Sequence, residues 1–170
     1  MNFDLSLDGE WNLSSPELPK QHFPMAVPGD NYSALLAAEA IPDPYWGCNE
    51  KLVQRYAGMT WKMEREFSVS EDMLRHEQIL LELEKVDTLA EFRVNGRKVL
   101  MTDNMFRRYR LAVKKFLHPG ANRIEVIFRP VIPEAAARNA RLPFPVPMTS
   151  CCPTPHLNLI RKTICHVCAH

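Results

Sequence analysis

The densest set of chemistry-bearing residues lies near the end of the chain: Cys151, Cys152, His156, Cys165, His166, Cys168 and His170. Thiolates and imidazoles are the ligands of structural zinc. Cys165-x-x-Cys168 has the spacing of half a tetrahedral site, which Cys151 or His156 could complete. Against that, adjacent Cys151 and Cys152 cannot easily face one metal, and a second tidy pair is missing. The alternative is a group of unpaired thiols. Carboxylates come next, because glycoside cleavage needs two of them across the scissile bond. Asp43, Glu50, Asp87 and Asp103 fall in loops or at strand ends, where acids commonly form turns or caps instead. His22, His76 and His118 are isolated, and no Gly-x-Ser-x-Gly elbow or Gly-x-Gly-x-x-Gly phosphate loop is present. Tyr45 and Trp46 follow the rigid run Ile41-Pro42-Asp43-Pro44. Such rings either stack on the apolar faces of sugars or plug the end of a fold.

The elements that must position these residues are mostly strands. Met59, Trp61, Met63, Phe67 and Val69 share one parity, with Thr60, Lys62, Glu64 and Glu66 on the other. This alternation gives a strand one dry and one wet face. The same alternation recurs at Ile79–Leu83, Ala90–Val94, Tyr109–Val113 and Ile124–Phe128. Asn95-Gly96 reads as a type I′ hairpin turn, and Pro119-Gly120 as a second turn. At least five strands with turns between them predict an all-β antiparallel sandwich, since a parallel sheet would need helical crossovers. Three short helices are expected. One runs from the N-cap Asp30 to Ala38, one from Asn49 to Tyr56, and one from Pro133 to about Arg141. Residues 1–142 thus form the sandwich, and Pro143, Pro145, Pro147, Pro153 and Pro155 make 143–170 an irregular segment.

Bulk properties narrow the function classes. A chain of 170 residues suffices for one self-supporting core. Its 21 basic and 20 acidic residues nearly cancel, so no electrostatic footprint for nucleic acid or an anionic membrane is present. Five cysteines, an odd number crowded toward one end, fit a reducing compartment better than a disulfide framework. The N-terminus has no basic region followed by an apolar run, and no stretch approaches a membrane span. The expectation is a soluble cytoplasmic protein.

A resemblance is carried by Leu7-Asp8-Gly9-Glu10-Trp11, Val27-Pro28-Gly29-Asp30 and the loop Ile41-Pro42-Asp43-Pro44-Tyr45-Trp46-Gly47-Cys48-Asn49-Glu50. Further on it is carried by Val86-Asp87-Thr88-Leu89-Ala90, Val94-Asn95-Gly96, Asp103-Asn104-Met105-Phe106-Arg107-Arg108-Tyr109 and Pro119-Gly120-Ala121-Asn122-Arg123. Through these the chain resembles the N-terminal domain of β-mannosidases in glycoside hydrolase family two, over nearly all of residues 3–166. The Asp-Thr, Asn-Gly and Gly-x-Asn elements are shared with β-galactosidases and β-glucuronidases. The 43–50 loop and Asp-Asn-Met-Phe are closer to the mannosidases.

The resemblance implies a jelly-roll sandwich of the galactose-binding-domain type, packed in the parent against an immunoglobulin-like domain and a (β/α)8 barrel. Both catalytic glutamates belong to that barrel, so no catalytic residue and no cofactor is expected here. Asn49-Glu50 is not the family's catalytic Asn-Glu pair. The expected role is to support the barrel and to shape one wall of a pocket for a terminal β-mannoside, with Tyr45, Trp46, Asn49 and Glu50 as candidate wall residues. The alternatives are a stand-alone carbohydrate-binding module and a purely structural interaction domain. Arg161-Lys162-Thr163-Ile164-Cys165-His166 agrees with the family's pattern. The Phe-Gly-Trp-Asp-Trp that should follow is replaced by Val167-Cys168-Ala169-His170, so a chain truncated before the rest of the enzyme is expected. Cys165 and His166 thereby acquire an explanation other than zinc.

Overall fold

The structure, a computed structural model, describes residues 4–144, 146 and 156–162. Among the described residues eight strands form two antiparallel sheets. They are β1 (Gly9–Ser14), β2 (His22–Val27), β3 (Trp61–Val69), β4 (Leu80–Leu83), β5 (Ala90–Val94), β6 (Arg97–Thr102), β7 (Tyr109–Ala112) and β8 (Gly120–Phe128). The large sheet has the order β2-β1-β3-β8-β5-β6, and β4 pairs with β7 in a second sheet of two strands.

Register turns the alternation in the sequence into a core. Phe23, Leu13, Met63, Val126, Phe92 and Leu100 are successive partners, so one apolar row crosses all six strands. Leu81 and Leu83 of β4 close over the same cluster, as does Leu35 of the first helix. The neighbouring row is Pro24, Asn12, Glu64, Glu125, Arg93 and Lys98, one residue along each strand except β6, where a register shift between Phe92 and Arg93 skips a residue, and it faces outward. Asn95 and Gly96 take positive φ, 50° and 76°, as the two-residue hairpin between β5 and β6 requires.

Among the described residues four helices decorate the sandwich: α1 (Asn31–Ala37), α2 (Asn49–Val53), α3 (Glu71–Arg75) and α4 (Val131–Ala140). Asp30 caps α1, accepting from the Ser33 amide at 3.0 Å. A 3-10 turn, Gln54–Gly58, continues α2 to the start of β3. The last helix begins at Val131, two residues before the Pro133 start expected from sequence, with Pro130 at its N-cap. α3 was not foreseen: it is one turn long, too short for a helical period, and is set by Ser70 accepting from the Met73 amide at 3.1 Å. β1 and β2 were also unannounced. Pro24 disguises β2, which tolerates it as an edge strand. Among the described residues no helix is long and apolar enough to cross a membrane.

Candidate functional site

The strand pairings place five strand ends at one end of the sandwich. Ser14 lies opposite Lys62, Trp61 opposite Phe128, Phe128 opposite Ala90, and Ala90 opposite Thr102. The connections 84–89, 103–108 and 129–130 therefore emerge together as a rim. Thr102, buried in it, donates to the Thr88 carbonyl at 2.8 Å and accepts from the Ala90 amide at 3.1 Å. The Arg129 amide bonds the Leu89 carbonyl at 2.9 Å. Thr60, Leu89, Arg129, Pro130, Pro133 and Glu134 line a hollow of about 280 Å³ between these loops and α4.

The chain near its end returns to this rim. Arg161 forms a parallel bridge with Asn104, and the Met105 amide donates to the Arg161 carbonyl at 2.9 Å. Lys162 reaches Asp87 at 3.5 Å. Asn104 shapes its own loop: its side-chain oxygen accepts from the Phe106 amide at 2.9 Å, and its carbonyl accepts from the Tyr109 hydroxyl at 2.9 Å. Three segments quoted for the resemblance, around Asp87, Asp103–Tyr109 and Arg161-Lys162, thus meet although up to 75 residues separate them.

The loop 43–50 is a tied display. The Asp43 carboxylate accepts from the Tyr45 amide at 2.9 Å, its carbonyl accepts from the Trp46 amide at 3.2 Å, and the Asn49 side-chain amide donates to that carbonyl at 2.9 Å. Gly47 supplies the one left-handed turn, φ 61°. Tyr45 is 97% and Trp46 77% exposed, so neither ring plugs the sandwich. Asn49 holds the loop, whereas Glu50 is exposed in the first turn of α2. From α2 the chain runs through the 3-10 turn to the rim, where the Trp61 indole donates to the Tyr56 carbonyl at 2.9 Å.

Three of the loop acids have partners: Asp43 its own turn, Asp87 the Lys162 ammonium, and Asp103 the Arg138 guanidinium at 3.6 Å. On the outward face of the large sheet, burial alone would push Glu64 up. Lys62, at 2.9 Å, and Arg123 outweigh it and hold the carboxyl at about 2. Arg93, with Lys98 beside it, likewise keeps Glu91 low against a smaller opposing effect of burial. A proton donor to a glycosidic oxygen needs the opposite displacement. As for zinc, His156 precedes the 3-10 turn Leu157–Leu159 with φ 61°, while Cys151, Cys165 and Cys168 lie outside the described residues. Among the described residues no group of three or more His, Cys, Asp or Glu is placed to hold a metal ion.

Residues 11–169 match the family described as glycosyl hydrolase 2 galactose-binding domain-like. The chain belongs to that family. Within this glycosyl hydrolase 2 domain family it is similar to the β-mannosidase of Capra hircus, 33% identical over 168 residues that cover 95% of this chain and 19% of that protein. It is also similar to a probable β-mannosidase of Caenorhabditis elegans, 34% identical over 134 residues, 79% of this chain and 15% of the relative. The crystal structure of the β-D-mannosidase from Dictyoglomus thermophilum superposes with a TM-score of 0.79 at 34% identity, covering 82% of this chain and 17% of that one. The exo-chitosanase of Amycolatopsis orientalis, at 19% identity and a TM-score of 0.63, shares the fold. This chain spans about a fifth of the length of the mammalian relatives. The glycosyl hydrolase 2 galactose-binding-like fold agrees with the antiparallel sandwich read from the sequence.

Arg138 is a residue of this rim with no signal in the sequence beyond its own helix. Glu134 and Arg138, four apart on an alanine-rich helix, were a visible local pair, but the other partners of Arg138 are distant in sequence.

Proposed function

We propose that this chain is a non-catalytic domain of a β-mannosidase-like retaining glycoside hydrolase, supporting a catalytic barrel and one wall of its pocket for a terminal β-mannoside. The observation that carries the reading is the convergence of Asp87, Asp103–Met105 and Arg161-Lys162 at one rim. A rim stitched from three separate loops is a rigid base for a neighbouring domain, whereas the opposed strand carboxyls of Glu64 and Glu125 are both tied to the Lys62 ammonium. Tyr45 and Trp46 supply two apolar ring faces to a sugar or a neighbouring domain, on a loop already ordered by its own hydrogen bonds, so little entropy is lost on contact. Glu50, exposed beside them, is able to accept from sugar hydroxyls. The partners in this reading are a β-mannoside and the immunoglobulin-like and barrel domains of the same parent.

The exposure of both rings also favours a second reading, a stand-alone carbohydrate-binding module with Trp46 as its platform. The coding sequence beyond His170 separates the two. An open frame running into a barrel with two catalytic glutamates supports the domain reading. A stop codon there, together with saturable binding of manno-oligosaccharides that Trp46→Ala weakens, overturns it in favour of the module.

A further inference from the structure

Arg138 stands where three parts of the chain meet. Its guanidinium pairs with Glu134 one turn back on α4 at 3.0 Å, donates to the Leu159 carbonyl at 3.3 Å, and faces Asp103 of the β6–β7 connection at 3.6 Å. The side chain is 27% exposed, so these contacts are partly shielded from water. Leu157 and Ile160, on the segment it touches, are buried against Val131 and Ala135 of α4 in a small cluster distinct from the main core. The segment 157–162 therefore draws little on the sandwich interior. It is held by this cluster, by the Met105–Arg161 backbone bond, by the Lys162–Asp87 pair, and by Arg138.

We propose that Arg138 is a positioning residue that clamps segment 157–162 between α4 and the rim. The planar guanidinium carries five donors on three nitrogens, and a different nitrogen faces each of Glu134, Leu159 and Asp103, a spread that the single nitrogen of an ammonium does not offer. Asp103 joins the rim loop to the same group, so α4, the rim and the returning chain move as one unit. This inference is independent of any sugar chemistry: it holds equally for a buttressing domain and for a free module.

Amide hydrogen exchange on the 170-residue chain tests it. Arg138→Lys retains the charge and the helix propensity, and so leaves α4 and the fold in place. The clamp requires exchange at the Met105 and Ile160 amides to accelerate by about tenfold, as expected when a charged hydrogen bond closing a local unit is lost. Amides of β3 and β8 should keep their protection. Glu134→Gln, which removes only the pair within α4, should leave Met105 within about twofold of the parent rate. Unchanged exchange at Met105 in Arg138→Lys overturns the proposal. So does equal acceleration by Glu134→Gln, or a uniform rise across all amides, because each assigns Arg138 to general stability.

Discussion

The side-chain amide of Asn95 donates to the side-chain oxygen of Asn122 at 2.8 Å, tying the β5–β6 hairpin to the start of β8 at the end of the sandwich opposite the rim. Asn122, 2% exposed, also donates to the His118 carbonyl at 2.7 Å and the Gly120 carbonyl at 2.9 Å, and accepts from the His118 amide at 3.1 Å. Asn95 in turn bonds the Phe116 carbonyl at 2.8 Å and accepts from the Arg123 amide at 2.9 Å. The two asparagines of the Asn-Gly and Gly-x-Asn motifs thus form one part-buried network that organises turns.

Removing its centre should be costly. Asn122→Ala leaves several buried backbone groups without partners, and a loss of about 3 kcal/mol is expected from such a network. Thermal or urea unfolding measures it. A loss below about 0.5 kcal/mol, the level of an ordinary surface change, would show that the network does not hold the turns.

Glu64 sets an acid limit on the fold. Its carboxyl is held at about 2 in the folded chain, below its ordinary value of 4.5, so folding is favoured wherever the carboxylate is charged. That stability is complete above the ordinary carboxylate range and is lost as the pH falls toward 2. Glu64→Gln should cost about 2 kcal/mol near neutrality and flatten the acid limb of the stability curve. Equal slopes for the two proteins between pH 5 and 2 would contradict the Lys62–Glu64–Arg123 assignment.

The three tryptophans should report the display loop. Trp11 and Trp61 are 6% and 5% exposed, against 77% for Trp46. Trp46→Phe is therefore expected to remove nearly all iodide-quenchable emission while changing stability by less than about 0.5 kcal/mol. Quenching that persists unchanged would mean that the loop packs its ring inward.

What was legible in the sequence is what local physics decides. Alternation over Trp61–Val69 and Ile124–Phe128 marked the strands because each has one dry face, and Asn95-Gly96 marked its turn because both residues tolerate positive φ. Pro24 in β2 hid a strand, because tolerance of proline depends on being at a sheet edge, which is a property of the assembled sheet. The candidate site was half visible. Asp43-Pro44-Tyr45-Trp46 announced a rigid loop, and its hydrogen bonds are local. The rim was not visible, because the partners of Lys162 and Arg138 lie far away along the chain and only register brings them together.

Incubating the purified chain with an aryl β-D-mannoside tests the central claim most directly. The expected result is no release of the aryl group above the rate in buffer, because in the proposed reading the chain is a supporting domain and both catalytic carboxyls belong to the barrel. Turnover that stays proportional to this protein through successive purification steps would contradict the account and place an active site within these residues.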